Sequence, residues 1–306
     1  MQIDFHHAVT YITARAAGFD QKSAKIIAHS AQYVDDATSS SPIYFDNKAL
    51  YTRISSAHPL IDYKNLQQVE NHEVWLPFHF LPGNGNLPAG ENPDGKFIKK
   101  IVCLPDSPVA QDMVRMAILH QDSKYALHRL GVTMHVYADT WAHQGFAGVL
   151  HPVNDLEDAT EENENDSSFG SNLFSFLCDV VDEFIPPLGH GKASALPDLP
   201  FLKWSYKNGK NELIRRDNPE DFLTAANQMC CAMKKFIGKD PDLVVTGLKT
   251  EDLYVLQELF TTLTSKDEKK RHQAYLDAVR QGRFSFGPEE ISYFLGNRKG
   301  SWKAEA

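Results

Sequence analysis

The segment GVTMHVYADTWAHQGF, residues 131–146, places His135, Asp139 and His143 at i, i+4 and i+8. The pattern around it is helical from Ser107 to Phe146, with Pro108 at a first-turn position and no further proline until Pro152. Gly131 is the expected weak point of that helix. At ~100° per residue the three side chains fall within about 80° of arc, ~6 Å apart along the axis. Two imidazoles and a carboxylate stacked in this way suit Zn²⁺ or a similar borderline metal. The ~12 Å from first to last is too long for one ion, so the geometry favours two neighbouring sites with Asp139 near the middle. A polar helix face on which His and Asp merely recur has the same spacing.

Helical periodicity extends outward from this segment. Residues 5–17 form an expected helix closed by Gly18, and residues 21–37 a second, with Asp20 as its N-cap. SSSP at 39–42 breaks the chain, and residues 39–107 read as a mostly irregular region. The stretch 154–168, NDLEDATEENENDSS, holds seven acidic residues and reads as a solvated surface loop. A helix is expected over 169–185, stopped by Pro186-Pro187, and a loop over 188–203. Helices are expected again over 218–238, 249–282 and 288–296. There is no internal repeat and no strand-rich block. The expected fold is one mainly α domain spanning residues 1–306, with long irregular loops around a buried metal cluster.

Composition narrows the function. The chain has 306 residues, 31 Lys+Arg against 40 Asp+Glu and a formal charge of -9. That balance argues against a protein that coats duplex nucleic acid or anionic membrane. Four cysteines, none in a CxxC pair, give no disulfide framework and point to a reducing compartment. The start, MQIDFHHAVTYITARAAG, lacks a basic n-region, and no stretch approaches the ~20 apolar residues of a membrane span. The expected location is cytoplasmic, or outside the cell by export without a classical signal peptide.

Other segments supply more candidate ligands. His6 and His7 begin the first helix, two residues after Asp4. Asp35 and Asp36 end the second helix after Tyr33, where the negative end of the helix dipole disfavours carboxylates unless a cation compensates. WLPFHFLP, residues 75–82, sets His79 among aromatic and proline residues, and PLGHGKASALPDLP, residues 187–200, offers His190 and Asp198. Each of these has a purely structural reading: a solvated helix end, a satisfied core histidine, a turn. His58, His72, His120, His151 and His272 lie in polar stretches and read as surface residues, whereas His29 and His128 read as structural or as groups that orient ligands. Trp141 and Phe146 read as core. Tyr44, Phe45, Tyr51, Trp75, Phe78 and Phe80 line either a pocket or the core.

These segments together resemble the superfamily of zinc-dependent phospholipases C and single-strand-specific nucleases, which are mainly α and hold a three-zinc cluster. In that superfamily a central helix supplies a His, an Asp four residues on that bridges two metals, and a further His. His135, Asp139 and His143 match this order with a shorter second gap. His6 matches the early His, Asp35 (or Asp36) the Asp that ends an early helix, and His79 the intervening His. His190 with Asp198 matches the last pair. The superfamily's mature chain begins with a Trp whose amine binds metal. Here residue 1 is Met, and Asp4 is the alternative donor. The FHxxVTY-like start and FHFLPG-like segment are most similar to an uncharacterised bacterial and fungal branch.

The resemblance implies two or three Zn²⁺ ions and hydrolysis of a phosphoester by a metal-activated hydroxide, with Asp35 or Asp36 orienting or deprotonating the water. It implies a small phosphoester, a lipid headgroup or a nucleotide as substrate. The chain has no HExxH, no His-Asp dipeptide and no paired ExxH, which weakens the zincin, HD-type and di-iron alternatives. The same cluster can hydrolyse an amide or another ester. The alternative of another class is a non-catalytic helical protein with a structural metal, or one that interacts through its acidic 154–168 loop.

Overall fold

The computed structural model describes residues 1–57, 68–162, 193 and 195–292. The chain starts in a π-helix, Asp4–Val9, that runs directly into α1, Thr10–Ala17. Gly18 ends α1 with φ +111°, a left-handed cap that a side chain resists. Asp20 then caps α2, Gln21–Asp36, by accepting from the Ser23 amide at 2.8 Å. The long region 39–107 contains more order than its Pro and Gly content suggests. It carries a small hairpin of β1, Ile43–Tyr44, and β2, Leu50–Tyr51, then α3, Gln68–Phe78, and α4, Ile98–Ile101. Ser107 caps α5, Pro108–Leu119, with Pro108 in its first turn.

The helix expected over 107–146 is two helices. α5 stops at Leu119 and α6, Ala126–Ala142, begins after a polar turn, HQDSKY, in which Ser123 and Ala126 donate to the carbonyls of His120 and Ser123. Asp and Ser there favour local turns over helix continuation. Gly131 is not the weak point. A Cβ at that position would meet the Ile27 carbonyl oxygen at 2.4 Å and the Ser30 Cβ at 2.5 Å, so the glycine lets α2 lie against α6. From Leu130 to Ala142 every α6 residue except Val132 is buried, the signature of a helix at the centre of its domain. Packed around it are α2, α5 and α7, Asn218–Gly238, and α1 packs in turn on α2 and α7. The segment 249–282 also divides, into α8, Thr250–Thr262, and α9, Glu268–Arg280. Residues 288–292 of the short helix expected over 288–296 are not helical.

A three-stranded antiparallel sheet stands at the C-terminal end of α6. Its order is β3, Leu156–Glu161, β4, Lys203–Asn208, and β5, Leu213–Asp217. The acidic stretch is therefore partly strand. Ala159 faces inward while Glu157 and Asp158 face water, and a register shift between Glu157 and Thr160 breaks the alternation that would have betrayed it. Trp204, Tyr206, Phe80 and Phe146 form a second apolar cluster under this sheet. The expected helix 169–185 lies outside the described residues. Among the described residues, no helix is long and apolar enough to cross a membrane. The mainly α single-domain expectation otherwise holds.

Candidate metal centre

Asp139 is the hub. Its carboxylate is 1% exposed, and its two oxygens face different partners. Oδ1 lies 3.2 Å from Nε2 of His6 and 2.8 Å from the Met1 amine. Oδ2 lies 3.3 Å from Nε2 of His135, 3.4 Å from Nδ1 of His79 and 3.7 Å from Nδ1 of His143. Asp198 joins from the far side, 2.9 Å from the Met1 amine and 3.4 Å from Nε2 of His143. Asp35 closes the opposite edge, 3.8 Å from His135 Nε2 and 3.9 Å from His79 Nδ1.

Each side chain arrives there for a local reason. His135 and Asp139 are one turn apart on α6. His143 is the residue just past the helix, and its amide still donates to the Asp139 carbonyl at 2.8 Å, which keeps it on the same face. Arg216, 5% exposed, fixes this end by donating to the Trp141 and Ala142 carbonyls, where helix polarity favours a cation. The π-helix brings His6 so close that its ring stacks on His135 with centroids 3.8 Å apart. Asp198 sits on a loop held by Asn218, whose amide donates to the Leu196 and Leu199 carbonyls and accepts from Trp204 Nε1.

Backbone carbonyls set the tautomers. His79 Nε2 donates to the Ser56 carbonyl at 2.8 Å, which leaves the Nδ1 lone pair facing Asp139 and His135. His143 Nδ1 donates to the His79 carbonyl at 2.6 Å, which leaves Nε2 facing Asp198. Metal-ligating imidazoles are usually held by such a second hydrogen bond.

Charge follows the packing. Burial and the adjacent His135 push His6 down to about 4, against the pull of Asp139, so its imidazole is neutral. Burial opposes ionisation of Asp139, but the Met1 amine and His143, His135 and His6 outweigh it and hold the carboxyl well below the usual range. His79 is also disfavoured as a cation by burial, yet Asp139 and Asp35 raise it. The Met1 amine is raised to about 11, burial being overcome by Asp139 and Asp198.

The donor set fits a divalent cation. His6, His135 and Asp139 each offer an atom within 4.8 Å of the others, and so do Asp35, His79 and His135. Two nitrogens and a carboxylate oxygen are a familiar three-ligand set. His6 Nε2, the ring nitrogen that faces Asp139, is buried without a hydrogen-bond partner, and such an atom calls for an explanation. These buried His and Asp groups can hold a metal ion.

The structure brings together His6, Asp35, His79, His135, Asp139, His143 and Asp198. Asp4 is not among them, because its carboxylate is turned to Arg271 in a buried ion pair. Asp36 is half-buried and belongs to neither three-residue group, and His190 lies outside the described residues. His272, expected on the surface, is fully buried against His7, while His120 and His128 are exposed. Trp141 and Phe146 are core, as expected, whereas Tyr44, Phe45 and Tyr51 are exposed. Sequence reasoning did not point to Ser56, Asn218 or Arg216. The first acts through a main-chain oxygen that any residue carries, and the other two are surrounded in sequence by ordinary strand and cap residues.

No curated protein and no solved structure matches the chain. Residues 1–306 match the sequence profile of a family of unknown function, DUF6765, and the chain belongs to that family.

Proposed function

We propose that this protein is a metal-dependent hydrolase of phosphoesters and that its metal is zinc. The observation that carries the reading is the Asp139 carboxylate, which turns one oxygen to His6 and the other to His135, His79 and His143. A carboxylate so placed is suited to bridge two cations. Zinc ions held in this way would supply an acidified water and a clamp on phosphoryl oxygens. The chain's own groups supply the rest. His6 and Asp139 hold neutral nitrogen and anionic oxygen side by side in a buried site. Asp35, with its side chain 31% exposed, stands where the cluster meets solvent and is the group in position to orient the attacking water and take its proton. The likeness to zinc-dependent phospholipases C and single-strand-specific nucleases supports the same reaction class.

The competing reading is a helical protein with a structural metal. A structural site is closed by four protein ligands, whereas the partial exposure of Asp35 leaves this one open on one side. The test is hydrolysis of bis(p-nitrophenyl) phosphate and of a p-nitrophenyl monoester by purified protein. Activity should vanish with chelator, return with Zn²⁺ and be lost in Asp35→Asn. Metal-replete protein inactive on both esters would leave only the structural reading.

A further inference from the structure

Asp4, Phe5, His6 and His7 are consecutive, but only His6 of the four enters the cluster. The polar residues on either side of it are held by two consecutive residues of α9. Arg271 donates from Nε to the Asp4 carboxylate, from Nη1 to the Ser265 carbonyl at 2.6 Å and from Nη2 to the Gln2 side chain. His272 Nε2 lies 2.9 Å from His7 Nδ1. The Asp4 and Arg271 side chains are 1% and 0% exposed. In the π-helix, residues two apart project to opposite faces, so Asp4 turned to α9 sends His6 toward α6.

A buried ion pair of this kind is a poor device for stability alone, since an apolar pair of similar volume holds two helices together at least as well. What a three-pronged guanidinium supplies is orientation. We infer that Arg271 is a positioning residue for His6. It acts through Asp4 to fix the rotation of the π-helix, so the cluster's affinity for metal depends on a helix that contributes no ligand. This rests on the reading that the cluster binds metal ions, and not on the phosphoester reaction.

The experiment compares wild type with Arg271→Gln, Asp4→Asn and the double variant Asp4→Asn/Arg271→Met. Zn²⁺ affinity is read by chelator competition, and the visible spectrum is recorded on the Co²⁺-loaded protein. Loss of a group that orients a ligand weakens metal binding by about 10- to 100-fold. We expect a loss of that size and an altered Co²⁺ spectrum in both single variants. The double variant leaves no unpaired buried charge. It should unfold cooperatively, as wild type does, and still bind metal more weakly. A folded double variant with wild-type affinity and spectrum overturns the inference. So does a double variant that cannot fold, because the pair then serves the fold alone. Wild-type protein that binds neither Zn²⁺ nor Co²⁺ overturns the metal centre itself and this inference with it.

Discussion

Nε2 of His135 lies 3.8 Å from Oδ1 of Asp35, which ties the middle of α6 to the last turn of α2. His135 belongs to both three-residue groups, whereas Asp35 belongs to one. The two residues therefore should not be equivalent on removal. Asp35→Ala is expected to lose one population of bound ion and keep the other, held by His6, His135 and Asp139. His135→Ala is expected to lose the ion that its Nε2 ligates, since one imidazole lone pair binds one cation, and to loosen the second by removing the ring stacked on His6. Elemental analysis of the purified variants distinguishes the cases, and full metal content in His135→Ala would be incompatible with the site.

Gly131→Ala tests the contact that brings those helices together. The added methyl would sit 2.4 Å from a main-chain oxygen, which cannot swing aside as a side chain can. Overpacking of a tight interior typically costs about 1–3 kcal/mol, and this contact belongs at or above the upper end. Denaturant unfolding should show the loss, and metal content should fall with it because Asp35 and His135 are pushed apart. Unchanged stability would mean that the helices separate freely.

Asn218→Ala addresses the loop that carries Asp198. The side chain is fully buried and bonds to two carbonyls and the Trp204 indole. Each buried polar group left without a partner costs about 1–3 kcal/mol. The expected result is a loss of several kcal/mol, with tryptophan fluorescence shifted as Trp204 loses its acceptor. A change of stability within experimental error would show that the loop is held by other contacts.

Acid should weaken the fold through His272. Burial lowers its affinity for a proton to about 4 from the ordinary 6.5. Between those values the unfolded chain binds the proton and the native chain does not. The contribution of neutral His272 is thus complete above about pH 6.5, declines as the pH falls toward 4, and levels off below. Unfolding free energy measured across this window in wild type and His272→Gln should differ in slope, with the variant flatter. Parallel curves would mean that other groups govern acid sensitivity.

Much of the centre was legible because helical periodicity is local information. The spacing of His135, Asp139 and His143 on one face needs only the sequence of α6, and the oddity of His79 between aromatic and proline residues needs only its neighbours. What was hidden depends on partners far away in the chain. His272 sits in KKRHQ, a stretch that reads as solvated surface, and it is buried because His7 lies against it. Asp4 looked like a ligand because it precedes His6, and only the position of Arg271 in space redirects it. The break after Leu119 escaped because apolar residues resume at helical spacing beyond the turn, whereas the break after Thr262 was marked by the polar run SKDEKK and the Asp267 cap and was passed over. The strand at 156–161 escaped because a bulge spoils its alternation.

Among the described members of the cluster, the side chains of His6, His135 and Asp139 are 0 to 1% exposed, while that of Asp35 is 31% exposed. An ion held beside His6 would lie deeper than one beside Asp35, the most exposed of the described cluster side chains, so the inner cation should be the first to be seated and the last to leave. Stripping the protein with a chelator should proceed in two stages of unequal speed.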